Sequence, residues 1–473
     1  MKSSYSAVLN ELDSDWVLSE CSKANFGDKR LNARLTSLLS SMSAQPNSPI
    51  NQSCPNLSET LAAYRFIDND KVSPDEILES HIKQSLSRGT KEDVVLCIQD
   101  TSFLKLNNHK ACEELGYIGR ETLKGLMVHS VFAVLPSGLP LGVLGIDFHT
   151  REEITRRTSQ ELRDLPIEKK ESGRWLKSAK KVKELFEKDT EVVHVCDREA
   201  DIFEFYQCIE AQNDFFLVRS RKDRRTEEGD NLYELLEEEK ALATVQFEVP
   251  SRGGRPKRTA TLEIRFTSAG LQVPHLKGSK TRQDLKSIEV WCIEAKEVKP
   301  PDGVEAIHWR LITNMAVESL EGALEKILWY SRRWAIEEMH KILKSCCRVE
   351  KAQFQSVKRL SNYITLRSII AWRIYYLVHI NRVDPDASAY TVLTASEVQT
   401  LELLLNEERM KEGKKRQVRI KTARQALTEI AKLGGFLDRK NDHYPGITVI
   451  WRGIMALSFS TRTFVAMQKR TYV

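Results

Sequence analysis

The chain has 473 residues, a formal charge of +6 and a pI near 8.7, so it is long enough for roughly two to four domains and basic enough to permit nucleic-acid binding without establishing it. Nine cysteines with no Cys-x-x-Cys pair argue against a disulfide framework or a structural zinc site. No apolar run approaches the ~18 residues of a membrane span, and Met1 to Ser14 lacks the basic start and apolar core of a signal peptide. The expected compartment is therefore reducing and intracellular. Residues 1 to about 72 read as helical, with Leu31, Leu35, Leu38 and Leu39 at helical spacing and a polar interruption from Pro46 to Pro55. Arg30 and Arg34 lie one turn apart at the edge of that leucine face, ready for phosphate or for solvent.

A catalytic core is expected from about 73 to 370. Its first strand is Val94-Val95-Leu96-Cys97-Ile98-Gln99, stopping at Asp100 before small hydroxylated residues. A hairpin follows: Val128 to Leu135 and Leu141 to Phe148 flank Pro136-Ser137-Gly138-Leu139-Pro140, a strong turn signal. A helix from about Gly173 to Lys188 comes next, with Trp175, Leu176, Ala179, Val182, Leu185 and Phe186 on its apolar face. The strand Val192 to Cys196 then stops at Asp197, a helix begins near Asp201, and Phe215 to Ser220 reads as a further strand. An acid at a strand's C-terminal end is either a helix cap or a ligand position in an open α/β sheet. Three strands, a helix, a strand, a helix and a strand is the ribonuclease H-like order. In that fold, acids of the first and fourth strands meet at the sheet centre.

An insertion from about 222 to 310 reads as β-rich, since Thr244 to Val249, Ala260 to Phe266 and Ile288 to Ile293 alternate. Beyond it, Tyr330, Arg333, Glu337, Lys341 and Lys344 fall on one stripe of a single expected helix, with Ile336, Met339 and Leu343 opposite. One carboxylate among cations and a phenol suits a metal ion beside a phosphodiester. A solvated face with Arg333–Glu337 and Glu337–Lys341 pairs is the alternative. Residues 371 to 473 read as helical, with Ala371 to Leu377 early and Trp451 to Met455 late. Three basic clusters stand out: Arg252-Gly253-Gly254-Arg255-Pro256-Lys257-Arg258; Lys277, Lys280, Arg282 and Lys286; and Lys411, Lys414, Lys415, Arg416, Arg419, Lys421 and Arg424. His340, beside Glu337, reaches phosphate or stays passive, and Cys346-Cys347 is more simply passive than reactive.

The spacing Tyr-x2-Arg-x3-Glu-x6-Lys is met by Tyr330, Arg333, Glu337 and Lys344. Together with Asp197-Arg198-Glu199-Ala200-Asp201 and Glu171-Ser172-Gly173-Arg174-Trp175-Leu176, it resembles the DDE transposases of bacterial insertion sequences. The likeness falls in the insertion-sequence-four superfamily, in the branch containing the transposase of composite transposon five. Phe26-Gly27-Asp28-Lys29-Arg30 and Ala63-Tyr64-Arg65-Phe66-Ile67 are similar to that branch's DNA-binding segment, and Leu433-Gly434-Gly435-Phe436 matches near the end.

The resemblance implies an α/β fold. A ribonuclease H-like core (73–370) would be flanked by a helical DNA-end-binding domain (1–72) and a helical dimerisation domain (371–473). Asp100, Asp197 and Glu337 are the implied catalytic acids, holding two Mg2+ ions, with Mn2+ able to substitute. Implied DNA contacts are Arg30, Arg34, Arg65, Arg219, Trp309 (stacking on a flipped base), Tyr330, Arg333, Trp334, Lys341 and Lys344. Arg198 stands near the phosphates or salt-bridges within the site. The implied reaction is cut-and-paste excision at terminal repeats through a DNA hairpin, then strand transfer into target DNA. The implied partners are double-stranded DNA and a second copy of the chain, with no membrane, in a bacterial cytoplasm at the nucleoid.

Overall fold

A computed structural model of the chain describes residues 15–89, 92–118, 123–151, 161, 165–186, 190–249, 257–274, 285–413, 417–440 and 442–471. Met1 to Ser14, Arg252 to Pro256, Lys277, Lys280, Arg282 and Lys414 to Arg416 lie outside the described residues. The chain divides into two compact units: Met1–Glu92, Thr101–Ile154 and Ala335–Val473 form one, and Asp93–Asp100 with Thr155–Trp334 form the other.

The second unit is built on a mixed sheet. Its strands are β1 (Val94–Lys105, up to Asp100), β5 (Glu191–Cys196), β6 (Phe215–Arg219), β7 (Ala243–Val249), β8 (Arg258–Leu271), β9 (Ile288–Glu297) and β10 (His308–Thr313). They lie in the order β1-β5-β6-β10-β9-β8-β7. β1, β5 and β6 are parallel, with Ile98 opposite Val195 and Val195 opposite Leu217. Strands buried on both faces need mostly apolar residues, which explains Val94 to Ile98 in β1 and the valines and cysteine around the buried His194 in β5. The helices α6 (Gly173–Lys183) and α7 (Phe203–Ala211) precede and follow β5 in the chain. Trp175, Phe203, Phe205, Tyr206 and Phe216 form a core, with Tyr206 and Phe216 stacked at 4.5 Å.

The expected order of strands and helices is present, in a mixed α/β architecture with flanking helices. The β-rich insertion is also present. Its strands extend the same sheet, because β10 pairs antiparallel with β6. It additionally holds α8 (Leu232–Glu238), which the alternating pattern did not announce; an Asn231–Glu234 capping box starts it. α6 stops at Lys183 rather than near Lys188, where Leu185 N–H bonds the Val182 carbonyl in a tight turn.

Two expectations are corrected. β1 does not stop at Asp100 but continues to Lys105, because Thr101 to Lys105 alternate between buried and exposed as strand residues do. The single helix through Tyr330 and Lys344 is two helices, α9 (Leu320–Ser331) and α10 (Trp334–Ser345). At the break, Arg332 N–H reaches the Trp329 and Tyr330 carbonyls, and Arg333 N–H bonds the Tyr330 carbonyl at 2.9 Å. Ser331 Oγ donates to the Leu328 carbonyl at 2.6 Å, a bond that bends a helix without any glycine or proline.

The first unit contains the N-terminal helices α1 (Trp16–Cys21), α2 (Lys29–Ala44), α3 (Ile50–Ser53), α4 (Leu57–Asp68) and α5 (Pro74–Gly89). It also holds β2 (Gly116–Tyr117), the hairpin β3 (Lys124–Val134) and β4 (Pro140–His149), and the end of β1. Asp28 caps α2 and Asn56 caps α4 through their side chains, so both starts are written locally. Leu35, Leu38 and Leu39 are buried, as their spacing predicts, while Leu31 is half-buried. The long helix α11 (Val357–Val383) runs through position 370 and is buried on nearly every side. From it, Asn362 Nδ2 donates to the Ile67 and Val72 carbonyls at 2.9 and 3.0 Å.

The helices α12 (Ala395–Lys411), α13 (Ala423–Leu433) and α14 (Ile447–Thr471) complete this unit. The Leu433-Gly434-Gly435-Phe436 motif has a packing reason. A Cβ at Gly434 would lie 1.9 Å from the Val449 carbonyl oxygen, and one at Gly453 would lie 1.8 Å from that of Ile430. The backbones of α13 and α14 therefore touch. Gly453→Ala is expected to lower stability by about 1–3 kcal/mol through overpacking. Urea unfolding checks it, and an unchanged midpoint would mean the two helices separate freely.

Candidate active site and nucleic-acid interface

The parallel register sets two carboxylates side by side. Asp100 and Asp197 each lie two residues beyond the paired Ile98 and Val195, so strand alternation puts both on one face. Asp197 follows β5 directly, and its Oδ1 accepts the Glu199 N–H at 2.8 Å, so it also caps a short 3-10 turn, Arg198–Ala200. The buried Cys196 thiol senses the pair. Burial pushes it far up, the charges of Asp197 and Asp100 add to that, and Arg333 opposes them.

A basic and aromatic group stands on the same unit. Arg219 ends β6 half-buried, with Nη2 donating to the His308 carbonyl at 2.9 Å. Burial lowers its pKa, Tyr330 offsets this through its charge and a hydrogen bond, and Arg198 and Arg333 add like-charge repulsion. Tyr330 is buried, and that burial holds its phenol protonated against the pull of Arg333 and Arg219. Arg333 is buried, in the turn between α9 and α10. Trp309, on β10, packs edge-on between Phe247 at 5.5 Å and Tyr330 at 5.3 Å and is 6% exposed. Arg198 is exposed.

The rest of the Asp-Arg-Glu-Ala-Asp segment is structural. Glu199 pairs with Arg174 at 2.9 Å. Asp201 accepts from Tyr206 Oη at 2.7 Å and from the N–H groups of Arg221 and Lys222 at 2.7 and 3.0 Å, and it pairs with Arg224. Arg224 thus anchors the loop after β6. Sequence reasoning passed over it, since Arg221-Lys222-Asp223-Arg224 is indistinguishable in pattern from a solvated turn.

In the first unit, Glu337 stands half-buried in the first turn of α10, and Ile336, Met339 and Leu343 are buried as expected. Lys341 is exposed and pairs with Glu338 at 3.2 Å. Lys344 and, at the start of the helix, Trp334 are half-buried. His340 does not face phosphate: it is buried, with Nε2 3.1 Å from Ser130 Oγ. Burial, helped by the Lys344 charge, pushes its pKa down to about 3. A folded-state pKa below the unfolded ~6.5 means stability is complete above pH ~6.5 and is lost as pH falls toward 3. His340→Gln is expected to flatten that loss by up to about 1.4 kcal/mol per pH unit, read from urea melts at pH 7 and 5. An unchanged slope would reject the assignment.

Of the N-terminal cations, Arg30 is 92% exposed on its side chain and pairs with Asp28, while Arg65 is exposed on α4. Arg34 is tied to Glu59, joining α2 to α4. In the basic clusters, Lys257 pairs with Glu248, Arg258 with Glu297, and Arg419 with Glu402. Cys346 and Cys347 are both buried.

Two adjacent carboxylates suit Mg2+, which takes one or two carboxylates and keeps several waters. Among the described residues, no three His, Cys, Asp or Glu side chains stand together as a metal cage.

Residues 13–72 match the family model described as transposase DNA-binding. The match spans α1 to α4 and contains both segments, 26–30 and 63–67, singled out from the sequence. A solved structure described as the cryo-EM structure of the piggyBac transposase synaptic complex with hairpin DNA aligns at 9% identity. The alignment has a TM-score of 0.39 and covers 97% of this chain and 81% of that one. A likeness at that score carries no argument about function. No helix among the described residues is long and apolar enough to cross a membrane.

Proposed function

We propose that this chain is a DDE transposase that excises DNA at terminal repeats and joins the freed end to target DNA. The observation that carries the reading is the transposase DNA-binding match at 13–72, in one chain with the Asp100–Asp197 pair and its arginine and tyrosine neighbours. The bacterial insertion-sequence branch, the hairpin intermediate, the homodimer and a place at the nucleoid belong to the same proposal and rest on the sequence motifs.

Asp100 and Asp197, with Glu337 as the third acid, would hold two Mg2+ ions. When bound, the ions would activate the attacking oxygen and neutralise charge on the leaving one. The chain's own side chains do the rest. Arg333, buried, and Arg219, half-buried, would hold phosphate oxygens more firmly than fully exposed cations can. Tyr330, kept protonated by burial, would donate to a third oxygen. Lys341 and Lys344 would contact the backbone further along. Trp309 and Trp334 would meet the displaced base, Trp309 after release from its packing against Phe247 and Tyr330. Arg30, Arg34 and Arg65 would grip the transposon end, Arg34 after exchanging Glu59 for phosphate.

Purified full-length protein, a linear duplex bearing the element's own terminal repeat and a supercoiled target test this. Cleavage and joined products in Mg2+, both absent in EDTA, are expected. Cutting without joining would indicate a structure-specific nuclease, and tight binding without cutting would indicate a non-catalytic DNA binder.

A further inference from the structure

The first unit carries a half-open cavity of about 240 Å3 among α1, α2, α11, α12 and α14, lined in part by Trp16, Ser43, Arg373, Glu397 and Thr461. Arg373 is 4% exposed. Its Nη2 donates to the Val392 carbonyl at 2.9 Å, yet no described residue accepts from Nε or Nη1. Thr461 Oγ1, also buried, has no hydrogen-bond partner among the described residues. A guanidinium keeps its charge at any ordinary pH, and these unused donors stay buried in the cavity wall, where burial lowers the Arg373 pKa and the charges of Glu397 and Glu20 offset it only in part. The Trp16 and Tyr376 rings, with centroids 5.4 and 5.3 Å from Arg373 Cζ, supply only partial compensation.

The two carboxylates lining the cavity are committed elsewhere. Asp15 Oδ1 accepts the Val17 N–H at 3.0 Å and caps α1. Glu397 Oε2 accepts the Thr394 N–H at 2.8 Å and its hydroxyl at 3.0 Å, in the capping box of α12. Burial also pushes the Glu397 carboxyl up, toward its neutral form. Two donor nitrogens on one cation, a nearby hydroxyl and a volume of metabolite size are a site lacking its acceptor oxygens.

We propose that this cavity binds a small oxyanionic metabolite, held by Arg373 and Thr461. Such a ligand would join α1 and α2, inside the DNA-binding match, to α11, α12 and α14, and so stiffen that segment. The inference does not rest on the transposase reading and survives its failure.

The test is calorimetric titration of the full-length protein with inorganic phosphate and, separately, with succinate, each against sodium chloride at equal ionic strength. Thermal unfolding is followed in parallel. Saturable binding of one or both, with a raised melting temperature, is expected. Phosphate alone identifies a phosphate-bearing ligand, and succinate alone a carboxylate. Arg373→Met should weaken binding about tenfold or more, and Thr461→Val about threefold to tenfold. Should Arg373→Met fail to fold, Thr461→Val decides. Absence of saturable binding to the wild type would mean that water alone satisfies Arg373, and undiminished binding in Thr461→Val would place the anion elsewhere. Either result overturns the site.

Discussion

Asp197→Asn is expected to slow DNA cleavage by about a thousandfold or more while leaving DNA affinity and the fold unchanged. The amide keeps the shape of the carboxylate and its oxygen, so the cap on the Glu199 N–H at 2.8 Å survives. What disappears is one negative charge from the pair that Asp197 forms with Asp100, beside Arg333. On the proposed reading, a cation held by those acids would lose affinity, and the arginines would lose a counter-charge. The segment matching the transposase DNA-binding model, 13–72, contains none of these residues, so a mobility-shift assay should show wild-type affinity. Single-turnover cleavage in Mg2+ is the decisive measurement. A rate within a few-fold of wild type would remove Asp197 from the chemistry and leave it as a helix cap.

The second large effect concerns stability. Arg367→Ala is expected to cost about 3–5 kcal/mol, since it leaves several buried acceptors unsatisfied at about 1–3 kcal/mol each. Arg367 is fully buried on α11. Its Nη1 donates to the Met42 and Pro46 carbonyls at 3.3 and 2.9 Å, its Nη2 to that of Ser48, and its Nε to Tyr363 Oη at 3.0 Å. Removing it orphans these acceptors and opens a void where the turn after α2 sits on α11. Arg367→Lys should rescue little, because one ammonium cannot reproduce a planar fork spread over several carbonyls. Urea unfolding gives the cost, and hydrogen exchange over residues 42–48 locates it. A loss under about 1 kcal/mol, or exchange unchanged in that turn, would contradict the account.

Much of this was legible in the chain itself. The apolar run Val94 to Ile98, and Val192 to Cys196 with His194 as its one polar residue, specify strands buried on two faces, and the order of elements around them limits the fold to a mixed α/β class. The acids that end or follow those runs, the leucines of α2 and the caps at Asp28 and Asn56 are local signals, and local signals survive folding.

Other features depend on partners far away in sequence. The break at Arg332 carries no glycine or proline, so a 3.6-residue pattern ran straight through it. That Tyr330 is buried against Trp309 and beside Arg219 is likewise invisible in its own helix pattern. Arg34 reads as free until Glu59 arrives from another helix, and Gly453 reads as a weak helix residue until the Ile430 carbonyl occupies the space of its missing Cβ. The sequence by itself therefore determined where most core strands and helices lie and which acids can share a sheet face, though not the extent of β1, the presence of α8 or the break between α9 and α10. Those properties follow from backbone period and side-chain polarity within about ten residues. The tertiary structure alone decided which charges are spent on internal pairs and which polar groups are buried, because contacts between distant segments set the local dielectric and leave no trace in the pattern of either segment alone.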